Sequence, residues 1–102
     1  MSRRLKLEQM LEKSPQDVFL NFGLAMELSK EGRTDDALAQ FDRVLGLDPA
    51  YLSAHFQKGS TLIAARRAPD ARSALAAGIA AAQATGDVHA AGEMQALLDT
   101  LG

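Results

Sequence analysis

Residues 15–48 read PQDVFLNFGLAMELSKEGRTDDALAQFDRVLGLD, and residues 49–82, laid beneath them, read PAYLSAHFQKGSTLIAARRAPDARSALAAGIAAA. In this 34-residue register Ala25 falls on Gly59, Leu28 on Leu62, Asp36 on Asp70, Ala37 on Ala71, Phe41 on Leu75 and Leu45 on Ile79. Small residues meet small and large meet large, so the chain repeats a structural unit. Shifted backwards, Leu7, Met10, Leu11 and Pro15 fall on Phe41, Val44, Leu45 and Pro49, which makes the opening segment the second half of a repeat. Shifted forwards, His89 falls on His55, where a third repeat would begin.

Inside each unit the apolar residues recur at helical spacing. Leu20, Leu24, Ala25 and Leu28 mark the core face of one helix, and Ala37, Leu38, Phe41, Val44 and Leu45 that of the next. Ser14, Pro15 and Asp17 read as an N-cap, a first-turn proline and an acidic third residue, and Asp48 with Pro49 repeats the start signal. Gly32 suits a left-handed C-terminal cap, after which Thr34, Asp35 and Asp36 cap a new helix and place acid in its first turn. These signals predict helices near 3–13, 15–31, 35–47, 49–65, 69–84 and 87–100.

The pattern resembles the tetratricopeptide repeat, a 34-residue helix-turn-helix unit. The resemblance rests on the small residues Ala25 and Gly59, on Gly32, on Ala37 and Ala71, on the aromatic Phe41 and on Pro49. It implies one all-α domain over 1–102, a helical repeat stack of about two repeats. A half-repeat helix would occupy 1–14, the repeats 15–49 and 50–83, and a C-terminal capping helix 84–102. One helix pair cannot bury its apolar face alone, so neighbouring repeats must stack. Three departures stand out: Lys58 replaces a usual leucine, Arg66 replaces the turn glycine, and Asn21 and His55 occupy a place that usually holds a large aromatic. An arginine in a left-handed conformation would cost on the order of 1–2 kcal/mol. The turn from Arg66 to Pro69 is therefore expected to differ from its counterpart.

Composition narrows the function classes. With 47% hydrophobic and 24% charged residues the chain is an ordinary folding sequence. A net charge of -2 offers no broad positive field for nucleic acid or anionic membrane. The clusters Arg3, Arg4, Lys6 and Arg66, Arg67, Arg72 read as solvated surface charge. Cysteine is absent, which excludes disulfides and thiolate chemistry and suits a cytoplasmic protein. Lys6, Glu8 and Gln9 interrupt the apolar residues after the basic start, so no signal-peptide core is expected, and no run approaches a membrane span.

Candidate chemistry is thin. His55 and His89 sit in successive units, too far apart for one ion whose ligands each lie about 2 Å away. His89 with Glu93 reads as an exposed helical ion pair. Asp35 and Asp36 open a helix, where carboxylates favour the positive end of the dipole. Neither a nucleophile elbow nor a phosphate-binding glycine loop occurs. The expectation is no enzyme, no cofactor, no metal and no small-molecule substrate.

What the sequence offers instead is a surface. Phe19, Phe22 and Met26 step by three and four on a stripe offset from the leucines. They either pack inside the domain, under the first helix, or form a ligand groove. The family resemblance implies that the first helix of each pair lines the concave face, and carries Phe56 and Ile63 onto it beside Phe19, Phe22 and Met26. The expected function is therefore binding of a partner protein's peptide or helix. The alternative is a structural role as a homodimer or part of a larger assembly. The clamp of lysines, asparagines and arginine by which some family members hold acidic chaperone tails is missing, because its places carry Phe22, Met26, Gln57, Asp87 and Ala91.

Overall fold

The computed structural model describes residues 2–102; Met1, the first residue of the expected half-repeat, lies outside them. Six α-helices and no strands occur among the described residues: α1 (Arg3–Lys13), α2 (Val18–Lys30), α3 (Thr34–Leu47), α4 (Leu52–Ala64), α5 (Ala68–Thr85) and α6 (Val88–Asp99). Side-chain oxygens cap three of them. Ser2 Oγ accepts the N–H of Leu5 at 3.2 Å, Asp17 Oδ1 that of Leu20 at 2.9 Å, and Asp87 Oδ1 that of Ala90 at 2.9 Å.

Two helix starts differ from expectation. Ser14 and Asp48 end the helices before them, donating their N–H to Met10 O (3.1 Å) and Val44 O (2.8 Å), so α2 and α4 begin at Val18 and Leu52. Proline stops the preceding helix as readily as it opens the next, and here Pro15 and Pro49 lie outside both. Thr34 is likewise the first helical residue and not a cap; Arg33 precedes it, with its guanidinium on Asp36 at 2.7 and 3.0 Å. Asp35 and Asp36 do occupy the first turn.

The chain divides into two compact units, the first ending at Asp48 and the second running Pro49–Gly102. In the first, α2 packs on both α1 and α3. Its interior holds Leu7, Ala25, Leu28, Ala37, Phe41 and Val44. The buried face of α2 keeps the expected Ala25 and Leu28 but takes Asn21 in place of Leu20 and Leu24. Asn21, Ala25 and Leu28 are buried, whereas Leu20 and Leu24 are half-buried. Asn21 tolerates burial because its amide is satisfied: Nδ2 donates to Pro15 O at 3.0 Å and Asp17 O at 2.8 Å, and Gln40 Nε2 donates to its Oδ1.

In the second unit α5 packs on α4 and α6. Close approach is set by missing side chains. A Cβ on Gly59 would lie 2.5 Å from Leu75 Cδ2, and one on Gly78 would lie 2.5 Å from Met94 Sδ and 2.7 Å from His55 Cβ. Leu75, Ala82 and Met94 form the centre, with Leu52, Phe56, Ile63 and Ala91 among the half-buried residues against it.

The Arg66 turn does not differ from its counterpart, contrary to expectation. Arg66 takes φ 61° where Gly32 takes 76°. Gly32 N–H donates to Ser29 O (3.1 Å) and Arg33 N–H to Leu28 O (3.0 Å); Arg66 and Arg67 donate to Ile63 O and Leu62 O, both at 2.9 Å. Even the Arg33–Asp36 pair recurs as Arg67–Asp70 at 3.1 Å. The backbone pattern that ends a helix outweighs the cost of one left-handed arginine.

Candidate partner-binding faces

The first unit presents its apolar stripe at a groove beside α2. Phe19 is 71% exposed and stands clear of the helix, while Phe22 and Met26 are half-buried. With Gly23, Glu27, Lys30 and Arg3 of α1 they line a groove of about 310 Å³. The two sequence alternatives are thus divided among the three residues. Phe22 reaches inward, its ring centroid 6.2 Å from that of buried Phe41 at a 55° tilt, whereas Phe19 points to solvent.

Ion pairs hold α1 along this face. Arg3 Nε lies 3.0 Å from Glu27 Oε1, and Lys30 Nζ lies 3.6 Å from the same oxygen. Arg4 bridges Glu8 at 2.6 Å and Glu31 at 3.0 Å, and the Glu31 charge, followed by weaker contributions from Glu8, raises its pKa. Exposed pairs of this kind add little stability individually but fix where the charges lie.

In the second unit a groove of about 390 Å³ runs between α4 and α6. Leu52, Ser53, Phe56 and Gln57 line it from α4, and Asp87, His89, Ala90, Glu93 and Met94 from the other side. Ile63 does not line it and packs instead beside Leu75, Ala82 and Met94. The contribution of α6 is what sequence reasoning missed. Asp87 and Ala91 drew attention only as places where a clamp is absent, and the i, i+4 pair His89–Glu93, 3.1 Å apart, gave no sign that it borders a groove.

The two histidines separate in role. His55 is 8% exposed, and its Nε2 lies 2.9 Å from Pro49 O. A carbonyl can only accept, so Nε2 carries the proton. This repeats the bond from Asn21 to Pro15 O one unit earlier. His89 is exposed beside Glu93. Among the described residues no group of three or more His, Cys, Asp or Glu is placed to hold a metal, and no helix is long and apolar enough to cross a membrane.

Residues 28–98 match a family described as tetratricopeptide repeat. A Bordetella parapertussis protein solved in solution is 32% identical, covering 99% of this chain and 88% of its own, with a TM-score of 0.87. A tetratricopeptide repeat domain protein from Salinibacter ruber is 29% identical over 85% of this chain and 88% of its own, with a TM-score of 0.78. YrrB, described as a protein of this repeat with an unusual peptide-binding site, is 27% identical over 87% of this chain and 44% of its own, with a TM-score of 0.75. No curated protein matches the sequence significantly.

Proposed function

This chain belongs to the tetratricopeptide-repeat family, and on that premise we propose that it is an interaction module whose units each offer a face for a peptide or helix of a partner protein, the first unit that of α2 and the second that of α4. Phe19, Phe22, Met26 and Phe56 are the apolar contacts; Ile63, packed against the core of the second unit, is not among them. The observation that carries this is Phe19, a phenylalanine left 71% exposed at the rim of a groove that Phe22 and Met26 continue. An exposed aromatic continuous with half-buried apolar neighbours forms a patch rather than an isolated surface residue, and such patches mark interaction sites. The likeness to YrrB supports a peptide as ligand.

The test is capture of a partner by wild-type protein and by Phe19→Ser, with the unfolding midpoint of each. Substitution at so exposed a site alters stability by no more than about 0.5 kcal/mol, whereas loss of an aromatic anchor weakens binding by about 2 kcal/mol or more. Unaltered capture by both Phe19→Ser and Met26→Ser would remove the α2 face from the proposal. Sedimentation at micromolar concentration is expected to show a monomer. A concentration-independent dimer abolished by Phe19→Ser would assign the face to self-association.

A further inference from the structure

The groove between α4 and α6 is acidic where the groove beside α2 is not. Asp87 and Glu93 stand at its α6 side, both exposed, and no lysine or arginine lines it. The α2 groove has Arg3 and Lys30 around the single carboxylate of Glu27. Opposing this, the amino end of α6 contributes roughly half a positive charge near Asp87, and Asp87 already accepts the Ala90 N–H. Neither cancels the second carboxylate. Glu93 is paired with His89, which carries charge only when protonated. Beside these acids the groove is apolar, walled by Leu52 and Phe56, with Met94 at its floor only 1% exposed.

From this combination we infer that the α4–α6 groove takes a peptide segment in which an apolar side chain neighbours a lysine or arginine. The apolar side chain lies on Phe56 and Leu52, and the cation lies between Asp87 and Glu93. The inference rests on the reading of the chain as a peptide-binding module and specifies its ligand at this groove. An acidic peptide tail would meet two like charges here and be disfavoured.

The experiment titrates the ¹⁵N-labelled full chain with two short peptides at low salt. One peptide carries two leucines flanked by lysines; the other has glutamate in place of lysine. The lysine peptide is expected to shift the amide signals of Ser53, Phe56, Gln57, Ala90 and Glu93, and the glutamate peptide to bind about tenfold more weakly, since each exposed ion pair contributes up to a few-fold. Glu93→Gln leaves the Asp87 cap in place and should weaken the lysine peptide about threefold without moving the unfolding midpoint, an effect that fades in salt. Equal affinity for both peptides at these signals would overturn the charge assignment and leave the peptide-binding reading intact. Shifts confined to α2 would overturn the groove assignment but not the module. No shift anywhere with either peptide at millimolar concentration would overturn both.

Discussion

Replacing Arg66 by glycine should make the protein more stable, an unusual direction for a single substitution. Arg66 holds φ 61° in a turn whose twin, at Gly32, holds 76° with the same pair of backbone hydrogen bonds. A Cβ in that region costs on the order of 1–2 kcal/mol. Glycine returns roughly 0.5–1 kcal/mol through the greater freedom of the unfolded chain. Arg66 is exposed, and the ion pair of this turn belongs to its neighbour, Arg67 with Asp70, so the backbone term dominates. The expected net gain is about 0.5–1 kcal/mol, or a rise in Tm of about 4 °C for a chain of this size. Urea unfolding of the wild type, Arg66→Gly and the reciprocal Gly32→Arg measures it, with Gly32→Arg expected to lose about as much as Arg66→Gly gains. A midpoint that falls in Arg66→Gly, or stays put in both variants, would refute the equivalence of the two turns.

Ala37 is fully buried, so Ala37→Leu should overpack its surroundings and cost about 1–3 kcal/mol in chemical denaturation. Phe22→Ser should cost more than about 1 kcal/mol because it removes the ring that meets buried Phe41, while Phe19→Ser costs under about 0.5 kcal/mol, a contrast readable in a thermal scan. His55→Ala should lose about 1–3 kcal/mol through a lost hydrogen bond and a gap in the core, while dialysis against a chelator leaves the wild-type melting temperature unchanged. A chelator-sensitive melt that His55→Ala abolishes would instead assign the imidazole to a metal.

Much of the fold was legible because the repeat imposes the same size constraint twice. Ala25 and Gly59, and Ala37 and Ala71, lie where helices approach, and all four are buried. The helix starts at Val18 and Leu52 were not legible, because Ser14–Pro15 and Asp48–Pro49 carry chemistry that ends a helix as well as it begins one. Two of the three leucines of α2 misled: Leu28 is buried as expected, but Leu20 and Leu24, more apolar than Asn21, are half-buried while Asn21 takes the interior, its amide satisfied there by three hydrogen bonds. Of the candidate site, the α2 stripe was visible in the spacing of Phe19, Phe22 and Met26. The groove at Phe56 was only half visible: the register placed His89 on His55, but it matched few other residues of α6 and gave no sign that they face Phe56 across a groove. Met10 shows the limit of register alone. It falls on fully buried Val44 but is 50% exposed, on a face of α1 that it shares with Lys6 and Lys13.

Asn21 and His55 do the same work with different volumes, and the difference is compensated around them. Each reaches the carbonyl of the proline ahead of its helix, which fixes how α2 and α4 begin and so where Phe22 and Phe56, one residue further on, are presented. In the first unit the small Asn21 amide is completed by Gln40, and Val44 fills the same repeat level. In the second unit the counterparts are Ala74 and Gly78, and the imidazole takes up the space, lying so near Gly78 that a Cβ there would be 2.7 Å from His55 Cβ. Transplanting asparagine alone should therefore fail: His55→Asn leaves room beside Gly78 and an amide oxygen without its donor, at a cost of about 1–3 kcal/mol. Adding Ala74→Gln supplies the donor that Gln40 supplies to Asn21. The double variant should recover part of that loss, with a coupling between the two substitutions of about 0.5–3 kcal/mol. Urea midpoints of the two single variants and the double variant give the coupling directly. Simple additivity would mean that the two polar staples arose in unrelated surroundings and that the match between Gln40 with Val44 and Ala74 with Gly78 carries no energy.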